Sequence, residues 1–184
     1  MQYDGYRTVN TDSYEQFKNV VNGNGYNVDY TYGDQCWDLM AILWYSLGFP
    51  QGYPTLANTG SAWGAWTDRE NNKGTQFDLI YNVNEIKRGD VIVYDQTSFN
   101  PYGHIGIADV NYTDGGWTYP ELPILSQNNQ GTPYAPGGSY ANIHGYDITL
   151  FLGAFRLKKW QGNNLNVHKS KFPWVLYANK LRES

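Results

Sequence analysis

The hydrophobic period of this chain changes once, after the loop Asn71-Asn72-Lys73-Gly74, and that change restricts the folds open to it. Before the loop, apolar residues recur at helical spacing. Cys36, Leu39, Met40, Leu43, Trp44 and Leu47 fall at i, i+3, i+4, i+7, i+8 and i+11, and Gly48 and Pro50 end the run. Asp12 and Glu15 form a capping-box pattern for a helix over Ser13 to Val21, with Tyr14, Phe17, Val20 and Val21 as its apolar face and Gly23 as its stop. A third helix is expected from Ser61 through Trp63 and Trp66 to Asn72. After the loop the runs are short and strand-like. The turn Lys87-Arg88-Gly89-Asp90 feeds Val91 to Tyr94, a second strand runs from Ile105 to Val110, a third includes Ile124 and Leu125, and a last lies near Thr149 to Leu157. Helices followed by an antiparallel sheet make an α+β fold.

The chain has 184 residues, enough for one domain with a substantial core. Residues 1–160 read as that domain, and residues 161–184 as a linker or a docked tail, with Phe172-Pro173-Trp174-Val175-Leu176-Tyr177 as an apolar island. Aromatic residues make up 17% and charged residues only 16%, so the surface must be largely neutral and polar, which suits carbohydrate or peptide contacts. A net charge of −4 gives no basic footprint for a nucleic acid. No stretch approaches the roughly 20 apolar residues of a membrane span. Met1 to Arg7 carries no basic segment leading into an apolar run, so no secretory signal is expected.

Cys36 is the one cysteine, so no intrachain disulfide can form. It stands at the first turn of the best-defined helix, after the polar stretch Tyr30-Thr31-Tyr32-Gly33-Asp34-Gln35. Helix starts offer free N–H groups and the positive end of the macrodipole, which favour thiolate. Such sites bring a thiol from about 8.5 to roughly 3.5–7.5, and a lowered Cys36 pKa is the expectation here. His104 enters a small-residue strand in Tyr102-Gly103-His104-Ile105-Gly106-Ile107. Thiol, imidazole and a group orienting the imidazole are the parts of a cysteine hydrolase. Pairing of adjacent antiparallel strands points to Leu125-Ser126-Gln127-Asn128-Asn129 for the third part, with Asn128 as the residue holding His104. His144 and His168 lack a comparable context.

Four segments in order resemble the CHAP family, the cysteine- and histidine-dependent amidohydrolases and peptidases common in bacteriophage endolysins. They are Tyr32 to Leu39 around the cysteine, Arg88-Gly89-Asp90-Val91-Ile92-Val93, Tyr102 to Ile107 around the histidine, and Ser126-Gln127-Asn128. The resemblance runs from about Ser13 to Leu157. It implies a papain-like fold with N-terminal helices packed on a C-terminal antiparallel sheet. It also implies Cys36 as nucleophile, His104 as base and then acid, Asn128 as orienting residue, and Gln35 beside the oxyanion with the Cys36 N–H. Many relatives read Glu-Gln-Asn where this chain has Ser126-Gln127-Asn128, so the usual carboxylate is missing. The implied activity is hydrolysis of an amide bond in bacterial peptidoglycan, as endopeptidase or N-acetylmuramoyl-L-alanine amidase. The enzyme is expected to be a monomer, made in the host cytoplasm and acting on the cell wall, with no nucleic-acid partner. The alternative is a catalytically silent wall-binding or structural phage protein of the same fold.

Asn27, Asp29, Thr31, Gly33 and Asp38 occupy positions 1, 3, 5, 7 and 12 of a loop running into a helix, the ligand spacing of an EF-hand. Asp38 replaces the bidentate Glu of that pattern, and Tyr32 stands where its glycine is expected. Some CHAP endolysins carry calcium at this place, so Ca2+ is the expected cofactor.

Overall fold

The computed structural model describes residues 1–129 and 137–161. In chain order the elements are β1 (Gln2–Asp4), α1 (Tyr14–Val21), β2 (Gly25–Asn27), β3 (Gly33–Asp34), α2 (Cys36–Ser46), α3 (Gly64–Thr67), α4 (Arg69–Asn72) and β4 (Phe77–Ile80). There follow β5 (Val91–Tyr94), β6 (His104–Ala108), β7 (Glu121–Ser126), β8 (Gly137–Gly138), β9 (Asn142–Asp147), β10 (Phe151–Leu157) and α5 (Lys158–Gln161). Six strands form one sheet in the order β4-β10-β5-β6-β7-β9, every neighbouring pair antiparallel. The two short pairs β1–β2 and β3–β8 are parallel. This is the α+β arrangement with helices ahead of an antiparallel sheet. The apolar island at 172–177 lies outside the described residues.

Helix α1 begins one residue later than its capping-box pattern places it. Ser13, not Asp12, is the cap, its hydroxyl accepting from the Gln16 N–H at 3.2 Å, while Asp12 pairs with Lys159 at 2.7 Å. Helix α2 is less amphipathic than its spacing implies. Every residue from Leu39 to Trp44 is buried, because the helix lies between the sheet and the loops that follow it. Trp44 anchors it, stacked on Phe77 at 4.5 Å, edge-on to Phe155, and donating its indole N–H to the Asn72 carbonyl at 2.8 Å. The expected third helix breaks into α3 and α4 around Asp68. Asn72 is fully buried there and its side-chain amide bonds the Thr55 and Ala65 carbonyls, which ties α4 to α3 and to the loop at Thr55.

Both faces of the sheet are covered. Val91, Val93, Ile105, Ile107 and Leu125 face α2, while Ile92, Tyr94, Ala108, Leu122 and Ile124 pack with Ile80, Ile86 and Ile148 on the other side. Strands β5 and β6 are therefore buried at every position, with no alternation of apolar and polar residues. Gly106 allows the close approach of β6 and β7. A Cβ there would sit 2.8 Å from Ile124 Cδ1 and 2.9 Å from Ser126 Cβ. Among the described residues no helix is long and apolar enough to cross a membrane.

Trp44→Ala should cost roughly 3–5 kcal/mol of stability, the range for removing a large buried aromatic. Denaturant unfolding followed by circular dichroism checks this, and a loss under 1 kcal/mol contradicts the role given to Trp44.

Candidate active site

Asp38, the third residue of α2, is buried, and its two carboxylate oxygens accept from the backbone N–H groups of Val28 and Gln35, each at 2.9 Å. The carboxylate therefore fixes both the entry to the helix and the strand before it, and it sets where Cys36 begins the first turn. Cys36 is half-buried and packs against the core. The backbone amides of Ile105, Trp37 and Cys36 itself lie near the sulfur and favour its anion. Burial nevertheless wins and pushes the thiol up to about 12, with the charge of Asp38 acting in the same direction. The expected lowering is thus not found. Removing the sulfur from water outweighs the N–H groups of the helix start.

His104 opens β6 directly after Gly103, whose φ of +64° is the left-handed conformation that glycine tolerates. A Cβ at Gly103 would lie 2.5 Å from the Tyr94 carbonyl oxygen. The imidazole is buried, and its Nε2 lies 2.9 Å from Oδ1 of Asn129. The side-chain NH2 of Asn129 donates to the Ser126 carbonyl at 2.9 Å, to the Asn142 carbonyl at 3.0 Å and to Asn142 Oδ1 at 3.1 Å. With its nitrogen committed to oxygens, the amide must turn its own oxygen to the imidazole, so Nε2 carries the proton and Nδ1 keeps a free lone pair. Burial pulls His104 down to about 4; the bond to Asn129 acts upward and His144 downward. Helix α2 packs on β6, and Cys36 packs against the apolar cluster that contains Ile105, one residue beyond His104, so Cys36 and His104 are brought to the same part of the fold.

Asn128 does not hold His104. In the β6–β7 register Ile107 faces Leu125 and Ala108 faces Ile124, which, continued, sets His104 opposite Asn128. The strand ends at Ser126, however, and Asn128 takes a left-handed φ of +53°. Its side chain swings to Gln35, donating to Oε1 at 2.7 Å, and the following residue turns back to the imidazole. The doublet Asn128-Asn129 contained the right residue type, but only the kink at the strand end decides which member points inward. Gln35 Nε2 donates to the Tyr32 carbonyl at 2.6 Å, so its amide is oriented by partners on both sides. Ser126, in the place of the missing carboxylate, is buried and donates to the Ile105 carbonyl at 2.6 Å.

The five expected metal ligands lie on β2, the following loop, β3 and α2. Asn27 Oδ1 is buried without a hydrogen-bond partner. Asp29 Oδ1 accepts from the Thr31 N–H at 2.8 Å. Tyr30, Tyr32 and Gly33 all have left-handed φ, and both tyrosine rings face solvent. Burial, with the charges of Asp29 and Asp34 added, pushes Asp38 up to about 7. Among the described residues no group of three or more His, Cys, Asp or Glu side chains is arranged to hold a metal, so carbonyl and amide oxygens would have to complete any site.

The CHAP domain family profile matches residues 25–128, more than half of the chain. This chain belongs to the CHAP family. A relative described as a D-alanyl-L-alanine endopeptidase of Streptococcus phage B30 is 35% identical over 152 residues, covering 81% of this chain and 31% of the relative. The chain thus spans about a third of that protein. The crystal structure of the wild-type endolysin LysIME-EF1 superposes with a TM-score of 0.56 at 24% identity, over 77% of this chain and 61% of that one, which shows a shared fold. The CHAP match ends at Asn128, one residue short of the side chain that meets the histidine.

The depressed His104 value makes the CHAP fold acid-sensitive in a defined window. Between pH 6.5 and about 4 the unfolded chain binds a proton at this position that the folded protein refuses. The associated stability is complete above pH 6.5 and is lost as pH falls, by an amount on the order of 3 kcal/mol. Unfolding free energies at pH 7.5 and 4.5 for wild type and His104→Gln should differ in slope, the variant lacking this contribution. Parallel slopes contradict a neutral buried imidazole.

Proposed function

We propose that this CHAP protein is a peptidoglycan hydrolase that cleaves an amide bond of the bacterial cell wall by cysteine nucleophilic catalysis, acting from the cytoplasm of a phage host. The observation that carries this reading is the packing of α2, which begins at Cys36, on β6, which begins at His104, an imidazole whose Nε2 edge is held by Asn129. The likeness to a phage endopeptidase agrees with it. Both groups rest neutral. His104 Nδ1 takes the thiol proton as the sulfur attacks the carbonyl carbon, and the charge formed on the carbonyl oxygen is received by the Cys36 N–H together with the free N–H of the Gln35 amide. The imidazolium gives its proton to the leaving amine, the C–N bond breaks and a thioester remains. Water, deprotonated by His104, then attacks the thioester, the acid is released and the thiol is restored.

Tested on purified Gram-positive walls, Cys36→Ala should abolish turbidity clearance. Asn129→Ala should slow it by roughly 10²-fold or more, the scale of general acid–base catalysis, and Asn128→Ala by less than tenfold. Equal clearance by wild type and Cys36→Ala removes the reading. Mass spectrometry of the released muropeptides names the bond, since a new D-alanine carboxylate marks peptide cleavage, whereas muramic acid with a free lactyl carboxylate and no peptide marks amidase action.

We propose that the loop before Cys36 holds Ca2+. The unpartnered Asn27 Oδ1, the Asp29 carboxylate and the Asp38 carboxylate are hard oxygens, and a cation beside Asp38 would offset the crowding of negative charge around it. Thr31 and Gly33 would complete the set with hydroxyl or carbonyl oxygens. An ion there would hold the loop that leads into Cys36. Adding calcium to chelator-treated protein should raise the melting temperature, and Asp29→Ala should remove the rise. A melting temperature indifferent to calcium in the wild type contradicts the site.

A further inference from the structure

The His104 imidazole has an edge and a face, and Asn129 holds only the edge. Rotation of a histidine ring about its Cβ–Cγ bond is soft, so one hydrogen bond at Nε2 leaves the plane of the ring free to tilt. The face is covered by Tyr146, whose ring lies 4.4 Å from the imidazole, centroid to centroid, at an interplanar angle of 11°. Tyr146 is itself fixed. Its strand pairs it with Leu122, Tyr94 packs on it at 4.6 Å, and its hydroxyl accepts from Asn100 Nδ2 at 3.4 Å. The same Asn100 nitrogen donates to the Gly103 carbonyl at 2.8 Å, directly before His104. Strand β9 thus carries both supports, since Asn142 on it accepts from the Asn129 amide that grips the edge.

We propose that Tyr146 is a positioning residue for the base, its flat contact fixing the plane in which His104 presents Nδ1 to the Cys36 thiol. The inference rests on the Cys36–His104 reading above. A stacked π face also favours the imidazolium that forms when the thiol proton arrives. The hydroxyl is secondary, since its one bond is long.

The test uses Tyr146→Phe and Tyr146→Leu in the full chain, with iodoacetamide alkylation of Cys36 at pH 7 as the readout of thiol activation. Tyr146→Leu should alkylate roughly ten- to a hundredfold more slowly than wild type, the penalty for a misplaced catalytic group, and Tyr146→Phe should restore most of the rate. In NMR spectra, the ring protons of His104 should be shifted upfield from those of the exposed His144 by the stacked ring, in wild type and in Tyr146→Phe. A folded Tyr146→Leu that alkylates at the wild-type rate overturns the proposal, and so does a Tyr146→Phe as slow as the leucine variant. Should the leucine variant fail to fold, the wild-type spectrum still decides: His104 ring protons at the His144 position overturn the stack. His104→Ala alkylating as fast as wild type instead overturns the dyad itself and takes this proposal with it.

Discussion

Gln127 joins the two halves of the molecule with one buried side chain. Its amide oxygen accepts from the Tyr26 N–H at 2.9 Å, and its NH2 donates to the Tyr26 carbonyl at 2.8 Å and the Gln35 carbonyl at 3.0 Å. In effect the side chain acts as an extra peptide unit, pairing the end of β7 with β2 and with the residue before the nucleophile. The part carrying Cys36 and the part carrying His104 are successive stretches of the sequence, and no strand of the large sheet comes from residues before Phe77. Apolar packing alone can slide. A fully buried amide with all its partners satisfied cannot do so without leaving donors or acceptors stranded, which costs roughly 1–3 kcal/mol for each. The register between Cys36 and His104 therefore follows from the polar contacts of Gln127, while the packing around α2 supplies the bulk of the cohesion.

The same burial that fixes this register shapes the electrostatics. Cys36 is driven up to about 12 and His104 down to about 4, so each group disfavours its own charge. A resting ion pair is opposed on both sides. In the proposed mechanism charge is created in this site only when the proton moves, and the dipoles that would stabilise it stand ready before it does. They are the amides around the sulfur, the Asn129 oxygen at Nε2 and the π face of Tyr146. Preorganised dipoles of this kind need no rearrangement as charge develops.

The helix at 36–46 and the strands β5 and β6 were legible because their apolar runs are long and end at glycine, proline or turn residues. The segment order then placed Cys36 and His104 in one fold. What escaped had no periodic signal. Strand β9, Asn-Ile-His-Gly-Tyr-Asp, has a glycine in its middle and polar residues on both faces, so it reads as a loop. It is a strand because β7 offers it a complete antiparallel edge from Glu121 to Ser126. The lowered thiol pKa failed for a related reason: a helix start is visible in sequence, whereas the depth at which it is buried is a tertiary property. The choice between Asn128 and Asn129 turned on a single left-handed residue.

Ser126 leaves the neighbourhood of His104 without a carboxylate, and neutral groups surround the imidazole instead. The Ser126 hydroxyl closes on the Ile105 carbonyl and carries no charge to steady an imidazolium. A carboxylate at that depth would itself need a partner or would be driven to its protonated form. Asn129 orients the imidazole without that penalty, because a neutral amide is satisfied by Ser126, Asn142 and His104 together. Its oxygen supports a positive imidazole less than a carboxylate would. An aromatic face against His104 compensates in kind, adding negative electrostatic potential with no group that must be ionised in the interior. In this chain neutral groups meet the imidazole at both its edge and its face.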